Sequence, residues 1–542
     1  MPGMDGFINK NKKTTHQGGK AYEPTLLEKL YRFFTTGLIQ GRYYQSEEEV
    51  IRETTQMLSE GKLLHPEEMA RMAAYGRNVG MKLAPNLGLL YLSTLEDKKY
   101  YDWAFTHVIK TPKDLHDHLH MARKAGIRRG VGSHLKKIVG RHIQHNLSDY
   151  HACKYKGKLQ EILRIARPQL AGDAQDRADY IINGNRTFPR ARALEEVRDE
   201  LREDNVTEKV LETIKEHRIQ MDEIKFTFGG LSDKNKEKIY RAFIPGMSYM
   251  ALVMNLVSIT RAFPETTRTL RYKQYSYSWV GSREFRFVKK PFETGDVPDD
   301  IIEMVADKLR DYEAMKRSRM LPFRLIQAMK MTTVPEWREA LRDMIAKACA
   351  DSLDIGDKKV LLGVDTSGSM FTQVNRRTNS LRPVEQAKRL TMVEIASLLG
   401  AMIEASIGDN VDLCAVATDC ERISVNEDDT PFDVMESIMK KDVGMGSYFE
   451  QLMQLYDDHD YIILVSDGMQ AGDLERAWLE QRKEDCKLIV WQLDGYTKKI
   501  TNHPDGLVLN GYSGQIVSLI KKTLEDGVNP IDEVLEYGGE IH

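Results

Sequence analysis

The chain has 542 residues, too many for one hydrophobic core, and reads as two or more domains. Hydrophobic residues make up 41% and charged residues 29%, the balance of an ordinary globular protein. No run approaches the roughly 18 apolar residues that a membrane helix needs, so a membrane partner is not expected.

The net charge of −3 hides a partition. From Asp351 onward stand 18 basic and 35 acidic residues, a net of −17, and the first 350 residues hold 60 basic and 46 acidic, a net of +14. The first half therefore suits polyanions and the second suits cations or basic partners. The N-terminal residues MPGMDGFINKNKKTTHQGG contain no apolar signal core. Cys153, Cys349, Cys414, Cys420 and Cys486 fall in no metal-like spacing. Both features predict a cytoplasmic protein in a reducing compartment.

In chain order, residues 1–20 are polar and predict a flexible N-terminus. Over 21–352 apolar residues recur three or four apart, as in Leu26, Leu27, Leu30, Phe33 and Phe34, or Met247, Met250, Met254 and Val257. Such spacing puts them on one helix face. Pro66, Pro85, Pro112, Pro168, Pro245 and Pro322 break the pattern into short helices, which predicts an α-solenoid of stacked helix pairs. The aromatic-rich segment 274–292 predicts a strand pair or a loop. From 355 to 530 continuous apolar strands (360–365, 411–418, 461–467, 487–494, 507–509) alternate with helices at 384–405, 432–440, 448–456, 474–482 and 515–524. That alternation predicts an α/β domain with a parallel sheet covered on both faces, and ligands of such sheets bind beyond the strands' carboxyl ends.

One motif sits at that place. Asp365-Thr366-Ser367-Gly368-Ser369 follows the strand VLLGV, so that a carboxylate and two hydroxyls can face one point while Gly368 lets the loop fold back. These are hard oxygen donors, suited to Mg²⁺ or Mn²⁺. Asp467 ends a second strand, YIILVSDG, and two carboxylates at neighbouring strand ends call for a cation between them. The basic half has its own focus. Residues 107–167 hold 14 Lys and Arg against four acidic residues, with eight of the 14 histidines. Within it Arg128, Arg129, Lys136, Lys137, Lys154, Lys156, Lys158, Arg164 and Arg167 form the expected footprint of phosphate contacts. The nearby aromatic and histidine rings favour RNA over duplex DNA.

The pattern DxSxS with a later strand-SDG resembles the metal-ion-dependent adhesion site of von Willebrand factor A domains. That resemblance implies a further hydroxyl ligand from an intervening loop; the family has threonine there, and Ser447 in Gly444-Met445-Gly446-Ser447 is the counterpart. The combination with a basic helical module is similar to the Ro autoantigen family, whose helical module is called TROVE. The likeness is carried by Gln17-Gly18-Gly19-Lys20-Ala21-Tyr22, by GSHLKK at 132–137, by Lys154-Tyr155-Lys156, by PGMSYMALVMNL at 245–256 and by Leu321-Pro322-Phe323. It implies a ring of HEAT-like repeats closed by the metal-site domain. It also implies Y RNA-like small non-coding RNA on the ring's outer surface, and single-stranded 3′ ends of misfolded RNA in a central hole. Two departures stand out: the stretch after the basic run is shortened to Gly157-Lys158-Leu159, and Arg167 stands where the family has histidine, which keeps phosphate contact but loses a titratable ring.

The sequence bears on two other classes of function. A metal-dependent adhesion or assembly module would take a partner protein's carboxylate on the cation. An enzyme is not expected: no Walker A loop is present, since GVGSHLKK has the wrong spacing, and no catalytic residue can be assigned.

Overall fold

The structure is a computed structural model and describes residues 12–36, 47–124, 132–263, 268–271, 275–276, 286–287, 291–294, 297–318, 320, 322–350, 357–371, 390–493, 498–511 and 530–541. The chain divides into two compact units, residues 1–108, 321–323 and 345–542 in one, and 109–320 and 324–344 in the other. The division does not follow the 21–352 and 355–530 boundaries of the sequence pattern. The first helices instead belong with the α/β sheet.

In the first unit the described residues begin with a hairpin. Strand β1 (Lys12–Thr14) pairs antiparallel with β2 (Lys20–Tyr22), Lys13 opposite Ala21. This corrects the expectation of a flexible tail up to residue 20; residues 1–11 lie outside the described residues. The cause is tertiary. Tyr22 exchanges backbone hydrogen bonds with Lys499 at 2.8 and 3.0 Å and its hydroxyl bonds to Glu475, partners more than 450 residues away. The helices Leu26–Thr36, Glu47–Leu64, Pro66–Asn78, Leu83–Leu92 and Lys99–Val108 follow, burying Leu30, Phe34, Leu58, Met69 and Leu89. The helix Pro530–Leu535 packs on Pro66–Asn78, and Arg71 clamps the residues after it, donating to the Tyr537 and Gly539 carbonyls at 3.1 and 2.7 Å.

The second unit is built of short helices that pack mainly on their chain neighbours, the habit of a solenoid. Lys156–Ala166 packs against Pro112–Lys124 and Asp173–Asn183, and Pro189–Arg202 against Asp149–Lys154 and Glu208–Glu216. Their starts are specified locally: Ser148, Thr207 and Ser248 each accept a backbone N–H three residues on. The aromatic-rich stretch forms strands, β3 (Arg268–Arg271) pairing with β6 (Pro291–Thr294) and β4 (Tyr275–Ser276) with β5 (Arg286–Phe287), both antiparallel.

The sheet of the first unit comprises β7 (Val360–Asp365), β8 (Val411–Val416), β9 (Cys420–Arg422), β10 (Tyr461–Ser466), β11 (Lys487–Gln492) and β12 (Gly506–Asn510). They lie in the order β12-β11-β10-β7-β8-β9, all parallel except β9. Every residue of β7 and β10 is buried, as the unbroken apolar runs require of central strands covered on both faces. The edge strand β9 escaped the sequence reading because Cys-Glu-Arg is three residues long and mostly polar. Two helices also differ. The one expected from 384 begins at Met392, where Thr391 and Glu394 form a reciprocal capping box. The one expected over 448–456 is the 3-10 helix Phe449–Leu455. The expected helix at 515–524 lies outside the described residues.

Candidate metal centre and basic surface

Register alone brings the motif residues together. Val364 of β7 pairs with Val465 of β10, so Asp365 and Ser466-Asp467 leave the sheet at the same edge, side by side. Gly468, at φ +82°, turns the chain there, and a Cβ on it would meet the Gln492 side chain at 2.1 Å, so only glycine fits. The third loop is stitched to the other two: Gly368 N–H donates to the Met445 carbonyl at 3.0 Å, and Ala471 N–H to the Ser447 carbonyl at 2.7 Å. Asp365, Ser367, Ser369, Ser447 and Asp467 are thereby all buried on three adjoining loops.

Within the site Asp365 Oδ1 accepts the Ser367 N–H at 2.8 Å and Asp365 Oδ2 the Ser466 hydroxyl at 2.6 Å. The Ser367 and Ser369 hydroxyls stand 3.4 Å apart. Asp467 Oδ1 accepts the Met469 N–H at 2.9 Å. Burial pushes the Asp365 carboxyl up to about 6, against the pull of the Ser466 and Ser367 groups that bond it. The Ser447 hydroxyl, fully buried, has no hydrogen-bond partner among the described residues. A buried carboxylate and an orphaned buried hydroxyl on adjoining loops are an arrangement that a hard cation would satisfy. Among the described residues no three His, Cys, Asp or Glu converge; the donors here are two carboxylates and three hydroxyls, a set for Mg²⁺ or Mn²⁺ rather than a thiophilic metal.

The predicted phosphate contacts fare differently. Arg128 and Arg129 lie outside the described residues. Lys136 and Lys137 are exposed on the helix Ser133–Asn146, with Arg141 one turn on. Arg164 and Arg167 are exposed at the end of Lys156–Ala166, where Arg167 caps the helix in the left-handed conformation, φ 46°. Gly140 lets these elements meet: Pro168 approaches to 3.2 Å of where its Cβ would stand. The helices Ser133–Asn146 and Lys156–Ala166, which carry these cations, are therefore in contact. Lys136, Lys137, Arg141, Arg164 and Arg167 pair with no carboxylate among the described residues.

The three lysines of the KYKGK run are already engaged. Lys154 bonds to Asp222 and to the Tyr150 hydroxyl, which hold its ammonium above the usual lysine range although burial works against the charge. Lys156 lies 3.7 Å from Glu195 and 3.9 Å from the Tyr180 ring centroid, and Lys158 3.9 Å from Asp117. Counting charge along the sequence could not reveal these acids, which come from other helices. Of the histidines, His142 is pushed down to about 4 by burial, then by His151 and Lys110, so it is neutral near pH 7.

No family model and no curated protein matches the chain. Among solved structures, the crystal structure of the Ro (RSR) protein of Deinococcus radiodurans is similar over 93% of this chain and 100% of that one, with a TM-score of 0.64 and 16% identity. The fold is that of the Ro protein.

On this Ro fold, the residues that support the candidate centre from behind were not singled out in the sequence. Ser466 holds Asp365, and Thr418 takes the Gly446 N–H at 2.7 Å, shaping the loop before Ser447. The Ser-Asp-Gly at the end of β10 was visible, but nothing in spacing assigns its serine to a carboxylate 101 residues earlier. No helix among the described residues is long and apolar enough to cross a membrane.

Proposed function

We propose that this protein is a Ro-type RNA-binding protein of the cytoplasm that takes small structured, Y RNA-like non-coding RNA and the single-stranded 3′ ends of misfolded RNA. The observation that carries this reading is the group Lys136, Lys137, Arg141, Arg164 and Arg167, exposed and, among the described residues, unpaired with carboxylates, on adjoining elements of a chain with the Ro fold. Exposed cations without acidic partners gain from releasing the counterions of a phosphate backbone. Gel-shift titration of the full chain at several salt concentrations tests it, using a hairpin RNA with a 3′ tail and a duplex DNA of equal length. Tight RNA binding that weakens steeply with salt is expected. Equal affinity for the duplex DNA, or no binding, would remove the reading.

Asp365, Ser367, Ser369, Ser447 and Asp467 are the residues proposed to hold Mg²⁺, or Mn²⁺ in its place, and no catalytic role is assigned to them. A second reading, adhesion to a protein partner, is favoured by Met445 and Tyr448, 55% and 42% exposed on either side of Ser447. A carboxylate from a partner with an apolar flank suits that rim. Asp365→Ala should abolish capture of such a partner; unaltered capture would exclude it.

A further inference from the structure

The segment Gln17–Tyr22 contains two adjacent glycines, and each has its own reason. Gly18, at φ +92°, closes the turn of the β1–β2 hairpin. Gly19 needs space: a Cβ there would lie 2.3 Å from the Gln470 carbonyl oxygen and 2.7 Å from that of Gly472. The hairpin therefore presses backbone against backbone on residues 470–472, the continuation of the loop that leaves β10 with Asp467.

The grip on that loop is dense. Thr15, buried, donates its hydroxyl to the Gln470 carbonyl. Gly19 N–H donates to the same carbonyl at 3.2 Å and Lys20 N–H to the Gly472 carbonyl at 3.0 Å. Gln470, itself fully buried, returns its Nε2 to the Lys20 carbonyl at 2.6 Å while its Oε1 accepts the Leu474 N–H at 3.2 Å, tying the hairpin to the next helix. Lys20 Nζ lies 3.2 Å from Asp473. Between these clasped residues, Ala471 donates its N–H to the Ser447 carbonyl at 2.7 Å. One short loop thus carries Asp467 at its start, braces Ser447 in its middle and is held from outside by the N-terminal hairpin.

We propose that the N-terminal hairpin is the positioning element of the cation site, so that cation affinity and docking of residues 15–20 are coupled. The inference rests on the cation reading above. The carbonyls of buried Gln470 and half-buried Gly472 have the hairpin as their donor, and losing it strips both of the hydrogen bonds that fix the loop. The loop then relaxes, and the Asp467 and Ser447 oxygens lose their common focus. Coupling is reciprocal: a cation that fixes the loop must also hold the hairpin more firmly, by the same factor.

The test uses the full chain and Mn²⁺ as the probe, with free Mn²⁺ read by electron paramagnetic resonance. Gly19→Val, which cannot seat on Gln470, is expected to weaken Mn²⁺ binding by about 10- to 100-fold, the range for residues that orient metal ligands. Thr15→Val, nearly isosteric, should weaken it less but in the same direction. Tyr22→Phe removes a hairpin contact to Glu475 rather than to the 470–472 loop, and its affinity should stay near wild type even where its melting temperature falls. In the wild-type chain, Mg²⁺ should slow hydrogen exchange at the Gly19 and Lys20 amides. Unchanged Mn²⁺ affinity in Gly19→Val and Thr15→Val, or exchange at those amides indifferent to Mg²⁺, would overturn the coupling. A wild-type chain that takes up no Mn²⁺ would instead remove the cation reading on which it rests.

Discussion

Ser447 keeps a buried hydroxyl with no partner among the described residues, beside the loops of two carboxylates. Such a group costs about 1–3 kcal/mol relative to an apolar replacement. Ser447→Ala should therefore raise the melting temperature in EDTA, yet shrink the additional stabilisation that excess Mn²⁺ gives. Parallel thermal melts read both, and a lower melting temperature in EDTA would contradict the account. Lys154 makes the opposite case. Its charge is spent on Asp222 and Tyr150, so Lys154→Ala should destabilise the fold while hardly altering RNA affinity. Lys137→Ala, on an exposed residue, should do the reverse. Chemical denaturation and gel shifts on the two variants check the pair.

The helix Ser133–Asn146 shows two faces. Leu135, Ile138, Val139 and Ile143 are buried, and Lys136, Lys137 and Arg141 face outward. His142 sits where burial, His151 and Lys110 disfavour its charge while Asp114 favours it, and its folded value is about 4 against 6.5 in the ordinary state. Between those values the unfolded chain binds the proton and the folded chain does not, so stability is complete above about pH 6.5 and drains away as pH falls toward 4. The loss from this one group is at most about 3 kcal/mol. His142→Gln should flatten this part of the profile, measured as urea midpoints at pH 7 and 4.5. An equally steep fall in the variant would assign the effect elsewhere.

For the whole molecule, the charge partition predicts how the proposed RNA contact responds to salt. If Lys136, Lys137, Arg141, Arg164 and Arg167 each meet a phosphate, changing all five to Gln should reduce the slope of log K against log salt by about 3.5, at roughly 0.7 per contact for a single strand. Affinity measured at three salt concentrations decides it. An unchanged slope would move the RNA surface away from these helices.

The convergence of Asp365 and Asp467 was legible in the sequence because both ride on strand ends, and a parallel sheet delivers strand ends to one edge whatever the rest of the chain does. The period of the apolar residues likewise determined helices before residue 352 and buried strands after 355. The fate of individual charges was decided only by tertiary structure. Lys154, Lys156 and Lys158 meet Asp222, Glu195 and Asp117, acids that chain distance hides, whereas Lys136 and Lys137 meet none among the described residues. The N-terminal hairpin is the same lesson on a larger scale. Its polar composition looks unstructured alone, because its hydrogen-bond partners are backbone groups of Gln470, Gly472 and Lys499, which carry no sequence signature and exist as a surface only once the sheet has formed.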